Sequence, residues 1–79
     1  MRVKVKLYAT LGRYAPEGQA GKPFELELPG DSSLKTLVEQ LYIPVEETRV
    51  TFVNGIAKAL DDKLQEGDEI GIFPPIGGG

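Results

Sequence analysis

Residues 2–8, Arg-Val-Lys-Val-Lys-Leu-Tyr, alternate outward and inward types with a period of two. Only an extended strand sends every second side chain to one face, so this stretch commits the chain to a sheet with one buried and one wet side. Phe24, Leu26 and Leu28 repeat the pattern around Glu25 and Glu27, and Pro29-Gly30 ends the run. If the two strands pair, Arg2, Lys4 and Lys6 meet Glu25 and Glu27, each opposed pair contributing roughly 0.2–1 kcal/mol. The basic cluster then reads as half of a cross-strand charge ladder, not as a nucleic-acid surface. A net charge of −3 points the same way. Between the strands, residues 9–22 hold Gly12, Pro16, Gly18 and Gly21 and read as a loop, with Leu11 and Tyr14 placed to pack one helical turn.

Asp31, Ser32 and Ser33 can accept hydrogen bonds from the free N–H groups that open a helix. Behind them Leu34, Leu37, Val38 and Leu41 fall at i, i+3, i+4 and i+7, one apolar stripe. Pro44 disfavours the helical region for Ile43, so the helix ends near Tyr42. Val50–Val53 reads as a strand and Asn54-Gly55 as a hairpin turn, with 56–59 returning. Turns follow at 61–64 and 66–68, and 69–73 forms the last strand, Ile70 and Ile72 facing one way and Gly71 and Phe73 the other. Capping is the reading for the serine pair. Asp61 and Asp62 are read as turn residues, because adjacent side chains do not converge. The first and last strands are both well patterned and can be neighbours in the centre of the sheet. One helix over one face of a four- to five-stranded sheet makes an α+β domain.

Seventy-nine residues bury a thin core, roughly 60% of the surface of the unfolded chain. With no cysteine, no disulfide supplements it, and with no histidine either, a Ser-His or Cys-His nucleophile cannot be built and the commonest ligands of zinc and iron–sulfur sites are missing. No apolar run is long enough to span a bilayer, and residues 1–6 lack the apolar core of a signal peptide, so a cytoplasmic protein without a membrane role is expected. Chemistry is left to carboxylates, hydroxyls, amines or the chain ends.

The sequence closes on Pro74-Pro75-Ile76-Gly77-Gly78-Gly79. Two prolines fix φ and stiffen the exit, and three glycines carry no side chains. Extended, these six residues reach at most about 20 Å. We therefore divide the chain into a domain, 1–73, and a tail, 74–79. Such a tip can carry a main-chain carboxylate into a cleft too narrow for a Cβ. There an ATP-using partner can activate it as an acyl adenylate. Since the chain has no thiol, any sulfur it carries must sit on Gly79.

The chain resembles, over residues 2–79, the β-grasp (ubiquitin-like) sulfur carriers, which include the small subunit of molybdopterin synthase and the thiamine-thiazole carrier. Val3-Lys4-Val5-Lys6-Leu7, Ser33-Leu34-Lys35-Thr36-Leu37, Phe52-Val53-Asn54-Gly55, Leu64-Gln65-Glu66-Gly67-Asp68-Glu69-Ile70 and the Phe73–Gly79 ending carry the likeness. The Phe-Pro-Pro-aliphatic-small-Gly-Gly ending is closer to the molybdopterin branch. That resemblance implies a co-substrate with no catalysis of its own and no bound cofactor or metal. An adenylating enzyme of the ubiquitin-activating type joins AMP to Gly79, using ATP. A sulfur donor converts the adenylate to a thiocarboxylate. The tail, with Gly77 and Gly78 slender behind Gly79, then enters the large synthase subunit, while Phe73, Pro74, Pro75 and Ile76 line the docking surface. The stretch Leu41–Glu47 is shorter than in typical synthase subunits. The pathway therefore stays open to thiazole, tungsten-pterin or amino-acid routes. A protein modifier and a plain interaction module are the readings from other classes.

Overall fold

The computed structural model describes residues 1–75. Strands β1 (Arg2–Leu7), β2 (Phe24–Glu27), β3 (Val50–Val53), β4 (Ile56–Ala57) and β5 (Glu69–Phe73) form one mixed sheet in the order β2-β1-β5-β3-β4. The two strands that open and close the fold pair in parallel at the centre, Lys4 beside Glu69 and Leu7 beside Ile72, and every other pairing is antiparallel. The period-two stretch supplies the reason. Val3, Val5 and Leu7 are all buried, and Ile70 and Ile72 of β5 face the same side.

Helix α1 (Leu34–Gln40) completes the core. Leu34, Leu37 and Val38 are buried in one cluster with β1, β5, Leu11, Leu28, Ile43, Val53 and Leu64, while Leu41 packs at its margin. Full burial of one such side chain is worth about 1.5–3 kcal/mol. Ser33 is the N-cap, its Oγ accepting from the Thr36 amide at 3.4 Å while Thr36 Oγ1 accepts from the Ser33 amide at 3.3 Å. The Ser32 hydroxyl donates to the Pro29 carbonyl at 2.7 Å. Ser33 therefore caps the helix as expected, whereas Ser32 ties back the turn before it.

The helix stops through Tyr42 as much as through Pro44. Tyr42 enters the left-handed region at φ 62°, its amide donates to the Glu39 carbonyl and the Ile43 amide to the Val38 carbonyl. That double closure normally uses glycine at the left-handed position. A 3₁₀ turn at Ala9–Tyr14 matches the expected helical turn, and a second, Val45–Glu47, was not foreseen. The return strand is shorter than expected, Ile56–Ala57 instead of 56–59. Lys58 still donates to the Thr51 carbonyl, but Asp62 Oδ2 accepts the Ala59 amide at 2.8 Å and draws the chain off the sheet. Asp62 is thereby a turn-closing residue. No helix among the described residues is long and apolar enough to cross a membrane.

Candidate functional site

The sheet has two faces, and α1 covers one. On the other, β1 presents Arg2, Lys4 and Lys6, β2 presents Glu25 and Glu27, β3 presents Val50 and Phe52, and β5 presents Glu69, Gly71 and Phe73. The charge ladder lies at one end of this face. Arg2 Nε is 3.2 Å from Glu27 Oε1 and its Nη1 is 3.7 Å from Glu25 Oε1. Lys4 stands in register between Glu25 and Glu69. All these groups are solvated, so the pairs set strand register more than they stabilise the fold.

At the other end the face turns aromatic. Lys6 is level with Gly71, so two residues on, Tyr8 is level with Phe73. Backbone geometry keeps that register beyond the strand, the Tyr8 amide donating to the Ile72 carbonyl at 3.1 Å. The Tyr8 and Phe73 rings stack at 4.2 Å between centroids and 1° between planes. Phe52 approaches Phe73 edge-on, 5.8 Å away and 84° inclined. Stacked and T-shaped contacts are those through which rings gain beyond their buried area. Gly71 lies beside them, and a Cβ there would stand 3.4 Å from Tyr8 Cε2, in ordinary van der Waals contact. Together with Lys4, Lys6, Glu69 and Asn54 these residues line a shallow groove of about 300 Å³.

Phe73 is 36% exposed even with rings on two sides, and Val50, its partner in register, is also exposed. Pro74 is half-buried and Pro75 exposed. The expected docking residues Phe73, Pro74 and Pro75 thus continue this aromatic end of the sheet. Ile76 and the expected chemical residues Gly77, Gly78 and Gly79 lie outside the described residues. Tyr8 and Phe52 were not among the sequence candidates. Their signal was present: Tyr8 shares the parity of Lys4 and Lys6, and pairing β1 with β5 brings it beside Phe73.

Two polar clusters tie loops to neighbouring elements. Asn54, in the left-handed region at φ 53°, donates through Nδ2 to Asp68 Oδ1 at 3.0 Å and accepts the Glu69 amide on Oδ1 at 3.0 Å. That clasp holds the β3–β4 turn against the start of β5. In the loop after β1, Arg13 Nη2 contacts Tyr14 Oη and Glu47 Oε1, both at 3.2 Å. The Tyr14 hydroxyl, and then Glu47, hold the Arg13 guanidinium above its ordinary value. Among the described residues no group of three or more histidine, cysteine or acidic side chains could hold a metal ion.

Several solved structures share this architecture. The putative molybdopterin converting factor subunit 1 of Pyrococcus furiosus is 26% identical, with a TM-score of 0.71 over 96% of this chain and 99% of that one. SAMP1 of Haloferax volcanii, small archaeal modifier protein 1, is also 26% identical, with a TM-score of 0.67 over the whole of both chains. A complex of subunits 1 and 2 of molybdopterin-converting factor from Helicobacter pylori matches at 22% identity and a TM-score of 0.59, again over all of both chains, and that likeness speaks to the fold. None of the curated proteins matches. The sheet and helix are those of the β-grasp, as the sequence led us to expect. Residues 5–79 match the ThiS family, and the chain belongs to that family of ubiquitin-like, β-grasp sulfur carriers.

Proposed function

We propose that the chain is a sulfur carrier for molybdopterin synthesis, built as a domain, 1–73, that presents a tail, 74–79, to partner enzymes. The observation that carries this reading is the end of β5. A central strand leads through a ring-flanked, exposed Phe73 into Pro74 and Pro75, and the sequence beyond is Ile76 and three glycines. The likeness to the Pyrococcus furiosus subunit 1 favours the molybdopterin branch.

The chemistry is divided between chains. A carboxylate oxygen of Gly79 attacks the α-phosphorus of ATP on a ubiquitin-activating-type adenylating enzyme, and pyrophosphate leaves. A hydrosulfide equivalent from a sulfur donor then attacks the acyl carbon and expels AMP, leaving a thiocarboxylate. The large synthase subunit accepts the tail, with Phe73, Pro74, Pro75 and Ile76 at the contact and Gly77 and Gly78 in the channel. There the thiocarboxylate sulfur forms a carbon–sulfur bond to a pyranopterin precursor, and water then cleaves the acyl–sulfur bond, returning Gly79 as a carboxylate. The carrier supplies shape and the reactive group. General acid, general base and nucleotide site belong to the partners, so the isolated chain turns nothing over.

Incubation with ATP, an adenylating enzyme and sulfide should raise the intact mass by the difference between sulfur and oxygen. The shift should be absent from a chain lacking Gly79. No mass change with adenylating enzymes of either the molybdopterin or the thiazole branch would refute the carrier reading. The likeness to SAMP1 supports a second reading, a protein modifier whose activated Gly79 forms isopeptide bonds with lysines. Higher-mass conjugates in cell extract that vanish when Gly78 and Gly79 are deleted would select it.

A further inference from the structure

We infer that Tyr8 is a positioning residue for the tail: its ring, stacked on Phe73, fixes the direction in which Pro74 and Pro75 leave the sheet. The inference rests on the carrier reading for its purpose, but on the geometry around Phe73 for its content. Phe73 is the last residue of β5, and its backbone pairs on one side with Val50. On the β1 side the ladder continues only as far as the bond from the Tyr8 amide to Ile72. Beyond that point side chains must hold the strand end.

Tyr8 does so from just past the end of β1 and Phe52 from β3, one ring parallel to Phe73 and the other perpendicular. A face and an edge contact together leave a ring little freedom to rotate or to lift. Prolines then pass the constraint along, because each fixes its own φ and restricts the residue before it. Phe73 precedes Pro74 and is so confined to extended backbone from both directions. A probe whose root is already aimed loses less freedom on entering a cleft, and its apparent affinity is divided by a smaller penalty for wrongly directed conformers.

The ring is what matters. Among the described residues the Tyr8 hydroxyl makes no hydrogen bond, although Tyr8 is half-buried. Position 8 should therefore accept any flat ring and reject an aliphatic side chain of similar bulk.

The test uses the free, full-length protein and three variants, Tyr8→Phe, Tyr8→Leu and Tyr8→Ala. Relaxation of the Phe73 amide and of the Pro74 and Pro75 Cα positions is compared with that of Leu7 and Ile72. We expect Tyr8→Phe to match the parent. Tyr8→Leu and Tyr8→Ala should lower order at 73–75 while Leu7 and Ile72 stay rigid. With the adenylating enzyme, the same two variants should raise KM roughly three- to tenfold at unchanged kcat, and phenylalanine should restore it. Equal order at 73–75 in all variants overturns the inference. So does a loss of order shared equally by Leu7 and Ile72, which marks a general support of the sheet. The relaxation measurement needs no partner, so it decides the role of Tyr8 even if the parent chain never gains sulfur.

Discussion

Tyr8, just past the end of β1, and Phe73, the last residue of β5, hold their ring planes 1° apart, with Gly71 beside the Tyr8 ring. An alanine methyl at 71 would meet Tyr8 Cε2 at 3.4 Å, an ordinary contact. Gly71→Ala should therefore leave the near-ultraviolet circular dichroism of the aromatic cluster intact. Gly71→Leu brings a bulkier side chain against the Tyr8 and Phe73 rings and should weaken that signal. Because the outer face is solvated, its thermal midpoint should fall by much less than that of a core variant such as Leu37→Ala, which costs about 2–5 kcal/mol.

Tyr42 is 87% exposed and sits at φ 62°, where an L side chain costs roughly 1–2 kcal/mol and glycine costs little. Tyr42→Gly should stabilise the domain by about 1 kcal/mol, part of the gain being offset by the greater freedom of glycine in the unfolded chain. Urea unfolding should show a higher midpoint with an unchanged slope.

The Ser33 hydroxyl and Thr36 satisfy each other's helix-end groups. Ser33→Ala should lower stability by about 1 kcal/mol, while Ser33→Asp should keep most of it. Both are readable by the same urea titration. Neither should alter the mass gain with sulfide, which separates capping from any nucleophilic role.

Gly12 is buried where the loop folds back, and a Cβ there would stand 2.6 Å from the Ala20 backbone nitrogen. Backbone cannot yield as a side-chain tip can, so Gly12→Ala should cost about 1–3 kcal/mol. Hydrogen exchange at Gly21, whose amide donates to the Leu7 carbonyl at 2.7 Å, should speed up with it.

Glu17 meets Lys22 at 2.6 Å, and the hydrogen bond and charge of Lys22 hold its carboxyl below the ordinary value of 4.5. A depressed folded-state value means that the pair helps the fold above the ordinary carboxylate range and loses that help as pH falls through the folded value. Carbon-13 titration of Glu17 should show the low midpoint and its return upward in Lys22→Ala. Both groups are solvated, so the unfolding midpoint should barely move.

Much of the fold was legible because local chemistry and final environment agree. Val3, Val5 and Leu7 alternate and are buried; Leu34, Leu37 and Val38 form a stripe and are buried; Val50–Val53 and Glu69–Phe73 sit within the bounds their patterns give. What escaped depends on contacts between distant parts. Asp62 shortens the return strand by taking the Ala59 amide, and Tyr42 adopts a backbone for which its side chain gives no signal. The site divides in the same way. Phe73, Pro74 and Pro75 stand out as a motif, whereas Tyr8 and Phe52 become visible only once β5 lies between β1 and β3.

The parallel pairing of β1 with β5 joins segments from opposite ends of the sequence. Such a contact has high contact order and closes late in folding. During synthesis, residues 2–7 emerge first and wait for 69–73 before the central seam can form. A half-made chain thus lacks the centre of its own sheet, and the strand that leads into Pro74 and Pro75 is the piece that completes it.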